Sequence, residues 1–406
     1  MGEQRAELTF KYNLKAGRHG WLRLTPAYSI RLVEQILDQH PDIRYVLDPF
    51  SGSGTTGLVC AERGVSCDLL DINPFLVWLA RVKTARYAPE ALHEARVAAV
   101  EIAGRASEPY DGKLWTPPIH NITRWWDEER LMTLAQLYHA LHEVLPDPAP
   151  AKDLLLVAFC NTLIAWSNAA FDHQSMSFKN GYSGQLGLFD DRQRMLEHFV
   201  STAVRLAKTA ATPLAGQVRV MQADSRTIST DAQYDGVITS PPYPNRMSYI
   251  RELRPYMYWL GYLSDGREAG ELDWQAIGGT WGIATSRLQT WQPDGAKIPY
   301  PEFSALIGAI EQQSPVLANY VHRYFEDMAQ HLQSVYKALA PGGKVFYIVG
   351  NSRFYETLIP VEQIYAAMLE ATGFADVEVQ CLRKRNSKKE LFEFQVAGCK
   401  IIPGQP

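Results

Sequence analysis

Val46-Leu47-Asp48-Pro49-Phe50-Ser51-Gly52-Ser53-Gly54-Thr55-Thr56-Gly57 is the stretch whose reading decides the fold. The apolar run from Ile43 to Leu47 predicts a strand, the glycines a tight turn, and Leu58, Val59, Cys60 and Ala61 the helix that follows. Glycines at 52 and 54 let the backbone approach a ligand with no Cβ in the way. The free N–H groups at the start of the helix then face that ligand. A second apolar run, Ser66 to Leu70, delivers Asp71 at its tip. An acid about twenty residues beyond the first glycine suits a ribose diol. The pattern predicts a nucleoside-containing cofactor at the carboxyl ends of parallel strands. No Lys follows the glycines, so this is not a Walker A loop. The spacing Gly52-x-Gly54-x-x-Gly57 also fits an NAD site or a ligand-free turn, so a second stretch has to decide.

That stretch is Thr239-Ser240-Pro241-Pro242-Tyr243, which follows the apolar strand Tyr234 to Thr239. Two prolines fix the backbone and remove N–H donors. Carbonyl oxygen and the Ser240 hydroxyl remain, with an aromatic ring beside them. This set suits an exocyclic amino group on a planar base: the amine donates to Ser240 and to a carbonyl near Pro241, and Tyr243 stacks on the ring. Such an amine is a poor nucleophile because its lone pair is delocalised. Accepting both of its N–H bonds pushes that lone pair toward an electrophile, by positioning and electrostatics alone. The chemistry needs neither a metal nor a covalent intermediate.

The chain has 406 residues, enough for one large or two ordinary domains. No apolar run is long enough to span a membrane, and the N-terminal residues lack a signal-peptide pattern. The five cysteines (60, 67, 160, 381 and 399) form no CxxC pair, which argues for reduced thiols in a cytoplasmic setting and against a zinc site. A net charge of −4 does not advertise nucleic-acid binding, which would rest on local basic patches.

Residues 1–24 carry Arg5, Lys11, Lys15, Arg18, His19 and Arg23, and read as a basic arm, either solvated or serving nucleic acid or the cofactor's edge. Thr25-Pro26 reads as the cap and first position of a helix carrying Ile30, Val33, Ile36 and Leu37. Beyond Pro89 the α/β rhythm stops. Helices are predicted over 90–105, 126–145, 152–166 and 190–210, with a polar loop over 167–190. Trp125-Trp126 reads as buried aromatics at a helix start rather than as base-stacking residues. Strands return at 218–221 and 234–239, and 251–320 reads as irregular. A helix over 320–339, a strand over 344–349, a helix over 359–371 and a hairpin of 376–382 with 390–397 complete the chain. The hairpin's basic tip, 383–389, reads as a solvated turn or a phosphate contact, with the solvated turn favoured. The domain reading is a basic arm (1–24), a catalytic domain (25–89, 216–250 and 320–402), a helical insertion (90–215) and a second insertion (251–319).

These motifs resemble those of the S-adenosylmethionine-dependent DNA amino-methyltransferases, which methylate N4 of cytosine or N6 of adenine. Asp48-Pro49-Phe50-Ser51-Gly52-Ser53-Gly54-Thr55-Thr56 looks like their motif I, Asp71-Ile72-Asn73-Pro74 like motif II, and Asp224-Ser225 like motif III. Ser240, Pro241, Pro242 and Tyr243 look like the catalytic motif IV, and the segment up to Thr25-Pro26 is similar to motif X. The resemblance covers about half the chain. It implies an α/β class I Rossmann-like methyltransferase sheet, ending in an antiparallel hairpin and carrying a mostly helical insertion. It implies S-adenosylmethionine held by Thr25, Pro26, Asp48, Pro49, Phe50, Ser51, Gly52, Gly54, Thr55, Asp71, Ile72, Asp224 and Ser225. It implies double-stranded DNA as substrate, with the target base flipped out of the duplex, a cytoplasmic enzyme at the prokaryotic nucleoid, and a partner restriction endonuclease. Ser first and Tyr last in motif IV lean toward cytosine. The long helical segment between motifs II and III departs from the family's usual layout, so target recognition falls to 167–190 or to 246–300. Lys179, Arg246, Arg251 and Arg254 are the predicted DNA contacts. An NAD oxidoreductase, an RNA or protein-amide methyltransferase and a non-catalytic DNA-binding module are the rival readings.

Overall fold

The computed structural model describes residues 6–24, 28–170, 177–178, 191–295, 297–385 and 390–402. Thr25, Pro26 and Lys179 lie outside the described residues, as do most of the loop 167–190 and positions 386–389 of the hairpin tip.

The strands of the main sheet are β1 (Tyr45–Asp48), β2 (Ser66–Asp71), β3 (Val218–Gln222), β4 (Tyr234–Thr239), β5 (Leu339–Gly350), β6 (Phe374–Lys384) and β7 (Phe392–Lys400). They lie side by side in the order β6-β7-β5-β4-β1-β2-β3. β1 through β5 run parallel, and β7 pairs antiparallel with both β5 and β6. This is the predicted α/β sheet with its closing hairpin. The central strands are largely apolar, as in a sheet covered on both faces. Val46, Leu47, Val237 and Ile238 have no exposed surface.

The sheet order decides where a ligand goes. The chain moves outward in one direction from β1 through β2 and β3, then returns to β1's other side with β4. Val46 pairs with Gly236 and Leu47 with Val237, so the loops after β1 and β4 leave the sheet side by side. In open parallel sheets such a reversal point leaves a crevice at the strands' carboxyl ends.

Helix α1 (Ile30–Gln39) buries Ile30, Leu32, Val33, Ile36 and Leu37. Its cap is Ser29, whose Oγ accepts from Arg31 N at 3.2 Å, so the helix begins later than Thr25-Pro26 suggested. Helix α2 (Thr55–Glu62) follows the glycine turn, and α3 (Pro74–Thr84) follows Asn73, which caps it through Phe75 N at 3.0 Å.

The segment 6–24 is not a solvated arm. Arg18 is 3% exposed and Trp21 not at all. The Arg18 guanidinium donates to the carbonyls of Lys83, Ala85, Ala210 and Thr212. Trp21 Nε1 donates to Thr209 Oγ1 at 2.8 Å. The last carbonyls of two helices, which have no donor within the helix, draw the cation inward.

Between β2 and β3 stand α4 (Pro89–Ser107), α5 (Glu128–Val144), α6 (Pro150–Ala165) and α7 (Asp191–Ala210), close to their predicted bounds. The segment read as irregular after β4 is helical instead: α8 (Tyr249–Trp259), α9 (Gly266–Gln275), α10 (Ile283–Thr290) and α11 (Phe303–Glu311) precede α12 (Pro315–Ala338). Helix α13 (Val361–Thr372) packs near the hairpin. Helix α8 plugs the core of the α4–α7 helices. The Trp259 ring makes edge contacts with Trp115, Trp126, Tyr138 and Phe159 at centroid distances of 5.4 to 6.1 Å. Trp125 and Trp126 are 2% and 0% exposed, as core aromatics should be. Among the described residues no helix is long and apolar enough to cross a membrane.

Candidate active site

A cavity of about 340 Å3 opens where the loops after β1, β2, β3 and β4 converge. Pro49, Phe50, Ser51, Gly52 and Thr55 come from the first loop, Asp71 and Ile72 from the second, and Asp224 and Ser225 from the third. Ser240, Pro241, Pro242 and Tyr243 come from the fourth. Residues spread over nearly two hundred positions of sequence therefore meet around one space, by way of the sheet order alone.

Asp48 and Gly54 stand behind that wall. Gly54 sits at the α2 cap with φ of +78° and packs against Ala80. Asp48 is fully buried. Its Oδ1 accepts from Thr239 Oγ1 at 2.6 Å and Phe50 N at 3.1 Å, and its Oδ2 accepts from Thr56 Oγ1 at 2.5 Å. Tyr28 in turn donates to Thr56. One carboxylate thus ties the end of β1 to the end of β4. Burial pushes its pKa up to about 6 in spite of these donors.

The glycine turn is built for a close neighbour. Gly52 has φ of +49°, and a Cβ there would meet no atom of the described residues beyond its chain neighbours within 4 Å. Its N–H donates to Asp71 Oδ2 at 2.9 Å, while Asn73 N donates to Oδ1 at 2.9 Å. Burial lifts Asp71 to about 6 as well. The Ser51 Oγ is buried and has no hydrogen-bond partner among the described residues. A buried hydroxyl left unpaired is costly unless a ligand satisfies it. From beneath, Lys83 Nζ donates to Ser53 O at 2.8 Å, its pKa brought down to about 7 by burial.

On the β3 side, Asp224 is bound by Arg226, which also reaches Asp327 Oδ1 at 2.7 Å and the carbonyl of Gln275 at 2.8 Å. The Phe50 ring backs onto His331 with 4.7 Å between centroids. His331 is buried between the Ser225 carbonyl and the Tyr347 hydroxyl, and burial lowers its pKa to about 4, so it stays neutral.

On the β4 side, Ser240 Oγ donates to the Ile348 carbonyl at 3.1 Å. A hydroxyl has one proton. With that proton committed to β5, what Ser240 presents to the cavity is acceptor oxygen. Tyr243 donates to Glu393 Oε1 at 3.0 Å, and Arg385 lies over its ring at 5.4 Å. Glu393 is held by Arg383 through bonds of 2.7 and 3.1 Å. Gly350 makes room for this ring, since a Cβ there would come within 2.7 Å of Tyr243 Cε2.

Sequence reasoning passed over several members of the site. Tyr28, Tyr249, Leu253 and Gln275 line the cavity without any motif to mark them. Arg383, Arg385 and Glu393 also line it, which corrects the reading of 383–385 as solvated. Arg383 pairs with Glu393 in the β6–β7 register, and a charged cross-strand pair in an apolar hairpin was the available signal. Of the residues predicted to touch DNA, Arg246 and Arg251 line a second cavity that shares Asn245 and Met247 with the first. Arg254 is engaged in packing: its guanidinium lies between the rings of Trp125 and Trp281, at 5.3 Å from each.

No protein-family model matches the chain. The Type II methyltransferase M.MvaI of Kocuria varians is 22% identical over 393 residues, which span 90% of this chain and 81% of that protein. The Type II methyltransferase M.AvaI of Nostoc sp. is 21% identical over 429 residues, spanning 95% and 85%. M.BsoBI of Geobacillus stearothermophilus, also a Type II methyltransferase, is 20% identical over 441 residues, spanning 95% and 85%. Among solved structures, TrmN from Thermus thermophilus overlays with a TM-score of 0.32 at 10% identity, covering 97% of this chain and 53% of its own. The rRNA methyltransferase aviRa from Streptomyces viridochromogenes gives 0.30 at 13%, covering 95% and 92%. Overlays of that size carry no argument about this chain.

Proposed function

We propose that the chain is a DNA methyltransferase that moves a methyl group from S-adenosylmethionine to the exocyclic N4 of a cytosine flipped out of the duplex. The observation that carries this reading is Ser240. Its proton is spent on Ile348, and its acceptor oxygen lines the same cavity as Asp71 and the glycine turn. The Type II methyltransferase relatives support methyl transfer and a place in a restriction–modification pair.

The residues around the turn fit a nucleoside cofactor with an amino-acid tail. Asp71 is an acceptor for the ribose hydroxyls, the open face of Gly52 admits the ligand's backbone, and the unpaired Ser51 hydroxyl waits for a polar partner. When bound, S-adenosylmethionine would supply an electrophilic methyl group and leave as S-adenosylhomocysteine, the methylated amine giving up one proton to solvent. Ser240 and a carbonyl at the Pro241 turn accept the two amine hydrogens and bring the nitrogen lone pair out of conjugation with the base. Tyr243, fixed at its hydroxyl by Glu393 and on its face by Arg385, supports the base ring in one plane. Asp48 keeps the two loops in register, so donor and acceptor are held at a fixed separation.

Two measurements test this together. Calorimetry should register binding of S-adenosylmethionine and none of NAD. Ser240→Ala should leave that affinity within about twofold and lower kcat for methyl transfer to DNA by about a hundredfold or more. Unchanged transfer by Ser240→Ala would remove this residue from the catalytic site.

A further inference from the structure

Just past Tyr243 the chain makes a turn that methyl transfer itself does not require. Arg246 has φ of +65°, in the left-handed region that residues with a Cβ seldom enter. Its neighbours hold it there. Asn245 N donates to Tyr243 O at 2.7 Å, Met247 N to Asn245 Oδ1 at 3.1 Å, and Arg246 N to the buried Tyr320 hydroxyl at 3.2 Å. Ser248 Oγ donates to Asp273 Oδ1 at 2.5 Å, and Asp273 also accepts from Trp281 N at 2.7 Å. Backbone held in such a conformation by its surroundings concentrates at ligand-binding sites. The side chain presented is exposed, and among the described residues no carboxylate pairs with it.

Beside this turn lies a second cavity, of about 410 Å3. Asn245 and Met247 line both cavities, so the two meet across the turn. The second space contains Arg246 and Arg251 against one acid, Glu252, together with the hydroxyls of Thr280 and Thr285 and the indole of Trp281. Cationic forks, hydroxyl groups and an aromatic ring form the set that recognises a single-stranded nucleotide, although the Thr285 hydroxyl donates its own proton to the Thr280 carbonyl. A base rotated into the first cavity draws its flanking phosphodiester and the next nucleoside to the cavity mouth. A guanidinium matches a phosphate's paired oxygens.

We propose that this second cavity binds the phosphodiester and nucleoside adjoining the flipped base, with Arg246 on the phosphate. The proposal rests on the reading of the chain as a methyltransferase of flipped bases in DNA.

Arg246→Gly tests it without straining the fold, because glycine adopts the left-handed conformation freely. Arg246→Lys keeps the charge. Methyl transfer into DNA is measured across a range of KCl concentrations. The Gly variant should raise KM for DNA about tenfold and reduce the salt dependence by about 0.9 in log–log slope, the signature of one lost phosphate contact. The Lys variant should recover most of both, and the dissociation constant of S-adenosylmethionine should not move. A Gly variant with wild-type KM and slope overturns the proposal, and so does one whose loss falls on kcat alone. Should the wild type methylate no DNA, the activity itself has been misread. Fluorescence anisotropy with single-stranded DNA then still decides the cavity: weaker binding by the Gly variant supports it, and equal binding overturns it.

Discussion

Asp48 and Asp71 end neighbouring strands, and burial raises both to about 6, yet they do different work. Asp48 spends its oxygens on protein donors behind the cavity wall. Asp71 keeps a face in the cavity after accepting from Gly52 and Asn73. The sign of the pH dependence follows from these raised values. An unfolded chain releases these protons near the ordinary value of 3.8, whereas the native chain retains them to about 6. Their ionisation therefore lowers the stability of the free protein as pH rises across that window, and adds nothing further above it. Cofactor binding runs the other way, because the ribose hydroxyls need an ionised acceptor. Affinity for S-adenosylmethionine should be full above about pH 7 and weaken, by up to about tenfold per unit, as pH falls through 6. Asp71→Asn should bind weakly with a flat profile. Calorimetry between pH 5 and 8 checks this, and a flat wild-type profile would remove Asp71 from the ribose contact.

At the scale of elements, Arg18 shows how a short segment is recruited into the fold. Its guanidinium gathers the carbonyls of Lys83 and Ala85, at the C-terminal end of α3, and of Ala210 and Thr212, at the C-terminal end of α7. Arg18→Ala should lose about 3 kcal/mol in denaturant unfolding, since these buried acceptors are left without donors. Its effect on cofactor affinity should be small, because Arg18 does not line the cavity. A variant as stable as the wild type would show that water replaces the clamp. Nothing in the residues 1–24 announced this, because cations alone do not reveal which carbonyls a fold will leave open. The strand–turn–helix around Gly52 was legible because every signal there agreed: an apolar run, glycines, then a helix-length apolar stretch. Helices α8 to α11 were hidden by a proline at 255, glycines at 266 and 270, and aromatics buried on more than one face, which blur the helical period. Ser29 outweighed Thr25-Pro26 as the cap of α1, a competition that local spacing does not decide. Motifs named most of the first cavity's loops. Its far wall, Arg383, Arg385 and Glu393, depended on a hairpin register that the sequence only suggested.

Taken whole, the molecule joins two chemistries by topology. The sheet sets the glycine turn beside Ser240, and Thr239 bonds Asp48 across the seam. Helix α8 then links this seam to the α4–α7 helices: Ile250 and Leu253 line the cavity, while Tyr256 stacks on Phe75 at 5.2 Å and Trp259 fills the helical core. Helix α8 is therefore part of the cavity wall, and it is anchored in the core of the α4–α7 helices. The most direct test of the central claim is the identity of the product. The protein is incubated with S-adenosylmethionine and unmethylated DNA, plasmid and genomic, the DNA is digested to nucleosides, and the modified base is read by mass spectrometry. The account predicts N4-methylcytosine from the wild type and its loss from Ser240→Ala. N6-methyladenine would contradict the assigned base, and no modified nucleoside from either DNA, with the cofactor bound, would contradict the activity.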